Sequence, residues 1–305
     1  MFDSEIKILH IESTTVCNAH CPQCSREDSN LYNDATDRSE LTVDKCRELF
    51  SDKFIKNLDK VFMCGIFGDP SANPNTIDIF KFFRSINPNI ILGMNTNGSI
   101  QNTSWWKDLA SVFDREKDYV VFSIDGLEDT NHIYRIGVNF NKAISNAKAF
   151  IGGGGTAHWD MLVFEHNEHQ VVAIEEFAKE VGFKWFRTKV SNRFTSKPIK
   201  GLRPPSQYIE VESEYNNNIK CVALDEKSVY LTASGEIMPC CWFGNTAFRK
   251  DAYTQELLAS PNWKQLENSW NNNPHNICKQ ACSKVNNKTN FTNQWKSEIE
   301  LENYN

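Results

Sequence analysis

No apolar run in this 305-residue chain approaches the roughly 18 uninterrupted residues a helix needs to cross a bilayer, so nothing in it reads as a membrane span. A secretory signal is missing as well. Met1-Phe2-Asp3-Ser4-Glu5 is acidic and leads straight into an apolar strand, where a signal would need a basic start and a longer apolar core. Positive charge is in short supply: 33 Lys and Arg against 39 Asp and Glu leave a net charge of −6. That balance speaks against a surface given over to nucleic acid or anionic lipid. No internal repeat is visible, which sets aside solenoids and propellers. One absence is local. Between Glu180 and Glu210 there is no acidic residue, yet Lys184, Arg187, Lys189, Arg193, Lys197, Lys200 and Arg203 all fall there. Such a stretch is either a solvated face, a docking patch for an acidic electron donor, or the approach to an acidic or phosphorylated substrate.

Cysteine is abundant. Ten cysteines without a signal peptide read as metal ligands or reduced thiols, and place the protein in the cytoplasm. Length and 40% hydrophobic content allow one large domain or a domain with a smaller appendage.

Short apolar strands alternate with helical patterns. The strands predicted are Ile6–Glu12, Lys60–Gly65, Asn89–Asn95, Tyr119–Asp125, His158–Phe164 and Lys184–Val190. Their near-continuous apolarity suits parallel strands buried on both faces. Between them, Thr42 caps a helix striped by Cys46, Leu49, Phe50 and Phe54; Ile77, Phe80 and Phe83 stripe a second; Val172, Phe177 and Val181 stripe a third, closed by Gly182. Such alternation implies right-handed crossovers and a parallel α/β sheet, here an open, partial (β/α)6 TIM-like barrel over residues 1–195. Residues 196–305 form a linker and a C-terminal domain. Ser191–Pro205, with Pro198, Pro204 and Pro205, reads as the linker; Val229–Thr232 and Glu236–Cys240 read as a β-hairpin around Gly235; a helix starts at Ser260-Pro261; the tail from Asn271 reads as loop.

The chemistry centres on Cys17-Asn18-Ala19-His20-Cys21-Pro22-Gln23-Cys24, directly after the first strand. Clustered thiolates are soft ligands that suit zinc or an iron–sulfur cluster. Three thiolates leave one corner of a four-iron cluster open to a small molecule, whereas His20 as a fourth ligand would close a structural zinc site. The Cys-x3-Cys-x2-Cys spacing after a first strand resembles the radical S-adenosylmethionine (radical SAM) superfamily, in which the open iron is chelated by S-adenosylmethionine.

Three later strand ends strengthen the resemblance, because ligands of parallel α/β folds gather at the carboxyl ends of strands. Gly68-Asp69-Pro70 is similar to the family segment that holds the cofactor's amino group, with a shorter acid in place of the usual Glu. Asn95-Thr96-Asn97-Gly98 is similar to the segment beside the cofactor. Ser123-Ile124-Asp125 resembles the site at which Ser123 would bond the methionine carboxylate and Asp125 the ribose, with Arg135 pairing with the same carboxylate. Read without the family, these are a Gly/Pro turn, an Asn-Gly turn, a helix cap and a surface cation. Gln23 departs from the family pattern, where an aromatic side chain covers the adenine.

A second cysteine set, Cys221, Cys240, Cys278 and Cys282, resembles the auxiliary-cluster extension of the SPASM/twitch branch, in its shorter one-cluster form. Cys241 is an alternative to Cys240. Cys46 and Cys64 read as core. The resemblance implies two [4Fe-4S] clusters and S-adenosylmethionine as cofactors, flavodoxin or ferredoxin as electron donor, and reductive cleavage to a 5′-deoxyadenosyl radical that takes hydrogen from a substrate. Peptide modification is the first expectation, although a strand at Ile6 leaves no room for a leader-binding domain before it. A small-molecule dehydrogenase or epimerase is the alternative, with Glu165, Asn167, Lys189 and Asn192 as candidate substrate contacts and Cys241 as a hydrogen-donating thiol. A non-catalytic zinc-binding adaptor would account for both cysteine sets but for none of the strand ends.

Overall fold

The computed structural model describes residues 6–27, 38–191, 193–194, 199–206, 219–244, 267–270, 273–283 and 299–300. Seven strands run parallel: β1 (Ile8–Ile11), β2 (Lys60–Met63), β3 (Ile91–Thr96), β4 (Tyr119–Ser123), β5 (Ala157–Val163), β6 (Trp185–Val190) and β7 (Ser228–Leu231). β8 (Ile237–Met238) and β9 (Ile299–Glu300) pair antiparallel at the two edges, giving the order β8-β7-β1-β2-β3-β4-β5-β6-β9. The helices are α1 (Val43–Leu49), α2 (Asp52–Asn57), α3 (Thr76–Ile86), α4 (Thr103–Ala110), α5 (Asn131–Tyr134), α6 (Phe140–Gly152), α7 (Val171–Val181), α8 (Val222–Asp225), α9 (Cys241–Gly244) and α10 (Asn276–Cys282). The fold is thus the α/β, mostly parallel open barrel that the sequence implies.

Four local expectations change. The hairpin forms, turning at Gly235 with φ +89°, but its first strand is a seventh parallel barrel strand, registered Ile8 to Ser228 and Ile11 to Leu231. The helix read from Thr42 breaks in two. Thr42 caps α1 by accepting from Lys45 N at 3.1 Å; Phe50 is extended, and Ser51 caps α2 by accepting from Phe54 N at 3.2 Å. The α7 stripe is displaced: Val172 is 69% exposed, and Ile174, Ala178 and Val181 face the core, with Gly182 closing the helix at φ +96°. Asn276–Cys282, expected within a loop, is helical. The helix expected from Ser260 lies outside the described residues.

Alternation along the strands makes two layers. Leu9 and Ile11, Val61 and Met63, Leu92 and Met94, Val120 and Phe122, Trp159 and Met161 face the helices in one core. The other face carries aromatic rings. His10 stacks on Phe62 at 4.2 Å and meets Tyr230 edge-on at 4.8 Å; Tyr119 stacks on His158 at 5.3 Å, and His158 lies 5.5 Å from Trp185. Gly93 belongs to this layer because any side chain would strike Tyr119, whose nearest atoms lie 2.6 Å from its would-be Cβ. Burial lowers His10 to about 4 and His158 to about 3, so both rings are neutral at physiological pH.

Candidate active site

The three-cysteine loop leaves the carboxyl end of β1 and is fastened from beneath. Arg26, 8% exposed, donates through Nη1 to Cys17 O at 2.7 Å and Ala19 O at 3.0 Å. Asp69 N donates to Val16 O at 2.9 Å. Gln23, fully buried, accepts from Ser191 Oγ at 2.6 Å and, at its carbonyl, from Arg193, which ties the loop to the end of β6. The departure from an aromatic at this position therefore has a local partner. Cys17, Cys21 and Cys24 pack together against Ala19, Tyr134, Val138 and Phe164.

Two side chains aim N–H groups at this cluster of thiols. Asn97 Nδ2 lies 3.7 Å from Cys17 Sγ and 2.8 Å from Asn18 Oδ1; its own Oδ1 accepts from Ser99 N and Oγ, both at 2.9 Å. Arg135 Nη1 lies 3.9 Å from Cys21 Sγ, while its Nε is 2.5 Å from Asp125 Oδ2. Asp125 is fully buried and also accepts from Leu162 N at 2.6 Å. Thus Asp125 and Arg135 pair with each other. Ser123, half-buried, stands beside Asp160 in the β4–β5 register.

Asp69 faces inward, 5% exposed. Its Oδ1 accepts from Ser71 N at 2.9 Å, Ser71 Oγ at 2.6 Å and Thr96 Oγ1 at 2.8 Å, and its Oδ2 from Asn97 N at 2.7 Å. It latches the end of β2 to the end of β3. Gly68 must be glycine, because a Cβ would lie 1.9 Å from Thr14 O. Glu12, the residue that follows β1, was not singled out from the sequence. Its Oε1 accepts from Phe67 N at 2.6 Å and Gly68 N at 3.3 Å, and its Oε2 from Tyr230 Oη at 2.6 Å. Burial holds its carboxyl above the usual value, against the pull of those donors. An acid closing an apolar strand is the same signal that marked Asp125.

Three candidate substrate contacts are placed. Asn167 is fully buried and staples backbone, donating to Asp125 O at 2.7 Å and Leu162 O at 2.9 Å, which removes it from a substrate's reach. Glu165 makes an exposed pair with Arg203 at 3.5 Å. Lys189 Nζ lies 2.6 Å from Asp160 Oδ2, and Arg187 grips the same carboxylate in bidentate fashion. Asn192 lies outside the described residues. Cys64 sits at the carboxyl end of β2 and stays outside the helix-facing core in which Cys46 lies.

Of the C-terminal cysteines, Cys240, Cys241 and Cys278 pack in one apolar cluster, and Lys220 N donates to Cys282 O at 3.0 Å beside Cys221. Cys221 precedes α8, Cys240 and Cys241 follow β8, and Cys278 and Cys282 share a face of α10, one turn apart. Burial raises Cys240 well above the ordinary thiol range, and Cys241, Cys221 and Cys282 raise it further; burial followed by Cys221, Cys278 and Cys241 lifts Cys282 to about 12.

The N-terminal thiols, three soft donors packed on one loop, have the ligand chemistry of an iron–sulfur cluster. Burial raises Cys17 to about 12 and Cys21 to about 11, so both ionise at neutral pH only against a cation. Among the described residues no three His, Cys, Asp or Glu groups converge on a single-ion site, and His20 is exposed.

An α/β barrel with such a loop at its carboxyl mouth defines a class of enzyme. The profile of the radical SAM superfamily matches residues 11–178, more than half of the chain, and the protein belongs to that superfamily. Among proteins of known function, it is 25% identical over 140 residues to the tungsten-containing aldehyde ferredoxin oxidoreductase cofactor-modifying protein of Pyrococcus furiosus, covering 43% of this chain and 34% of that protein. The chain therefore spans about a third of that relative. Streptococcus suis SuiB bound to S-adenosylmethionine shares the fold, with a TM-score of 0.58 at 16% identity over 85% of this chain and 67% of SuiB. So does anSMEcpe with bound AdoMet, with a TM-score of 0.55 at 15% identity over 91% and 86% of the two chains. Membership of that superfamily implies a [4Fe-4S] cluster and S-adenosylmethionine.

Proposed function

We propose that this protein is a radical SAM enzyme and that it modifies a peptide. The observation that carries the cofactor site is the Cys17–Cys24 loop, with Asn97 and Arg135 each directing an N–H at a thiol. Cys17, Cys21 and Cys24 would hold the cluster and Gly68, Asp69, Asn97, Ser123, Asp125 and Arg135 would shape the S-adenosylmethionine site. When bound, that pair supplies reductive cleavage to a 5′-deoxyadenosyl radical, with flavodoxin or ferredoxin as electron donor.

Each residue then has a task. Asp69 has both oxygens engaged, so it orders the β2 and β3 ends, and backbone carbonyls of that loop remain to meet an amino group. Asp125 keeps Arg135 oriented toward Cys21. The Cys17 side of the loop is braced through Asn18 and Asn97. Cys221, Cys240, Cys278 and Cys282 would hold one auxiliary [4Fe-4S] cluster within residues 196–305, the region that also gives the barrel its seventh parallel strand. The cytoplasm supplies the reducing setting such thiols need.

Support for a peptide substrate is the fold shared with SuiB, of which one structure is bound to the precursor peptide SuiA (TM-score 0.58, 16% identity). The surplus of cations between Lys184 and Arg203 favours an acidic segment, and Lys189, which shares the one Asp160 carboxylate with Arg187 and so leaves a net positive charge there, is the contact we assign to it. Anaerobic reconstitution tests this reading. About eight irons per chain are expected for two four-iron clusters. Replacing Cys17, Cys21 and Cys24 together by Ala should abolish 5′-deoxyadenosine and leave about half of that iron; cleavage surviving in the triple variant refutes the assignment, and zinc without sulfide restores the adaptor.

A further inference from the structure

Tyr230 belongs to two places at once. Its ring is part of a separate apolar cluster with Met238, Phe243, Ile277 and Cys278, against which Cys240 and Cys241 pack. Its register partner on β8 is Met238, two residues before Cys240. Its hydroxyl leaves that cluster and donates to Glu12 Oε2 at 2.6 Å, both residues being almost wholly buried. The other oxygen of Glu12 holds Phe67 N at 2.6 Å and Gly68 N at 3.3 Å. Ile66, in the same loop, packs against the Tyr230 cluster directly.

We infer that Tyr230 and Glu12 form a buried linkage through which the C-terminal cysteine region sets the position of the cofactor loop, and hence the affinity for S-adenosylmethionine. The inference rests on the assignment of the Gly65–Pro70 loop to the cofactor site. The loop has little freedom of its own. Gly68 lies flush against Thr14, and a Cβ on Gly65 would stand 2.3 Å from Gly68 O, so a small displacement cannot be absorbed locally. Of the anchors described here, Asp69 ties the loop to β3 and Val16, while Glu12 hands it to β7. β7 begins three residues after α8, whose N-cap is Cys221, and is followed by Cys240 beyond β8. Disturbing the C-terminal region therefore reaches the loop through the Tyr230 hydroxyl, beside the apolar contact of Ile66 and the backbone bond from Glu12 N to Leu231 O. Tyr230 and Glu12 are positioning residues.

The test is equilibrium binding of S-adenosylmethionine to the reconstituted, unreduced protein, so that no turnover occurs. Tyr230→Phe removes the linking hydroxyl and keeps the ring. Gly244→Ala acts from the far side, because its Cβ would lie 2.3 Å from Tyr230 Cε1 and push the ring away. With iron and sulfide content at wild-type level, Tyr230→Phe is expected to raise Kd up to about tenfold, the effect of one buried hydrogen bond. Gly244→Ala should raise it in the same direction, and Glu12→Gln, which keeps an acceptor for Phe67 N, should lose less than Glu12→Ala. Tyr230→Phe binding within about twofold of wild type, even with lowered stability, overturns the linkage and leaves a merely structural contact. Should Gly244→Ala fail to load iron, the isosteric Tyr230→Phe decides alone. A wild-type protein with an intact cluster that binds no S-adenosylmethionine overturns the site assignment instead, which keeps the two failures apart.

Discussion

Asp69 is where an energetic argument can be worked to a number. Its carboxylate gathers donors from two strand ends: Ser71 N and Oγ, Thr96 Oγ1 and Asn97 N, all between 2.6 and 2.9 Å at their nearest oxygen, in a site 5% exposed. The two hydroxyls can turn to other acceptors; the two backbone N–H groups cannot. Asp69→Asn keeps an acceptor at the Oδ1 position but sets an amide N–H against Asn97 N–H, leaving one buried donor unpaired, at about 1–3 kcal/mol. Asp69→Ala strands both backbone donors, for about 2–6 kcal/mol. Thr96→Val deletes a hydroxyl that also accepts from Gly98 N at 3.0 Å, and by stranding that donor should cost about 1–3 kcal/mol. Against a total stability of about 5–15 kcal/mol the Ala variant is expected to be severely impaired. Urea unfolding of anaerobically reconstituted protein, read as the midpoint at constant slope, should place Thr96→Val and Asp69→Asn, each stranding one backbone donor, below wild type and above Asp69→Ala. If Asp69→Ala unfolds within about 1 kcal/mol of wild type, the carboxylate is not the latch described.

Other expectations follow the same logic. Asp125→Ala should cost about 3–5 kcal/mol by stranding buried Arg135 and Leu162 N, and adding Arg135→Met should cost much less in that background than alone; additive losses would contradict the pairing. His10 and His158 have folded pKa values of about 4 and about 3, below the 6.5 of the unfolded chain. Between pH 6.5 and about 4 the unfolded chain therefore binds more protons, and stability falls as pH falls, by roughly 1.4 kcal/mol per unit for each ring. His158→Asn should flatten that slope in paired urea titrations, and an unchanged slope would contradict the buried neutral ring. On α7, Val172→Lys should be neutral and Ile174→Ala should lower the thermal midpoint by about 2–5 kcal/mol equivalent, the reverse order restoring the stripe read from sequence.

Much of the site was legible because its signals are local. Three cysteines within eight residues share one loop whatever else the chain does, and the strand ends 68–70, 95–98 and 123–125 follow from apolar runs stopping at Gly, Asn and Asp. Less legible were contacts between residues far apart in the chain. Gln23 meets Ser191 across 168 positions, and Glu12 meets Tyr230 across 218, and neither pair has a signature in either neighbourhood. Asn167 drew notice as a polar group at a strand end; only its place, between the carbonyls of Asp125 and Leu162, shows it holding backbone.

By itself the sequence determined the class of the protein: cysteine spacing, parallel α/β alternation and the order of the strand-end segments, all of them properties of position along one chain. Tertiary structure alone decided which groups satisfy one another. It turned Asp69 inward, paired Asp125 with Arg135, and made the first strand of a C-terminal hairpin the seventh strand of the barrel. The reason is that a buried polar group takes whichever partner the packing of distant strands brings within hydrogen-bond reach, and periodicity carries no record of that choice.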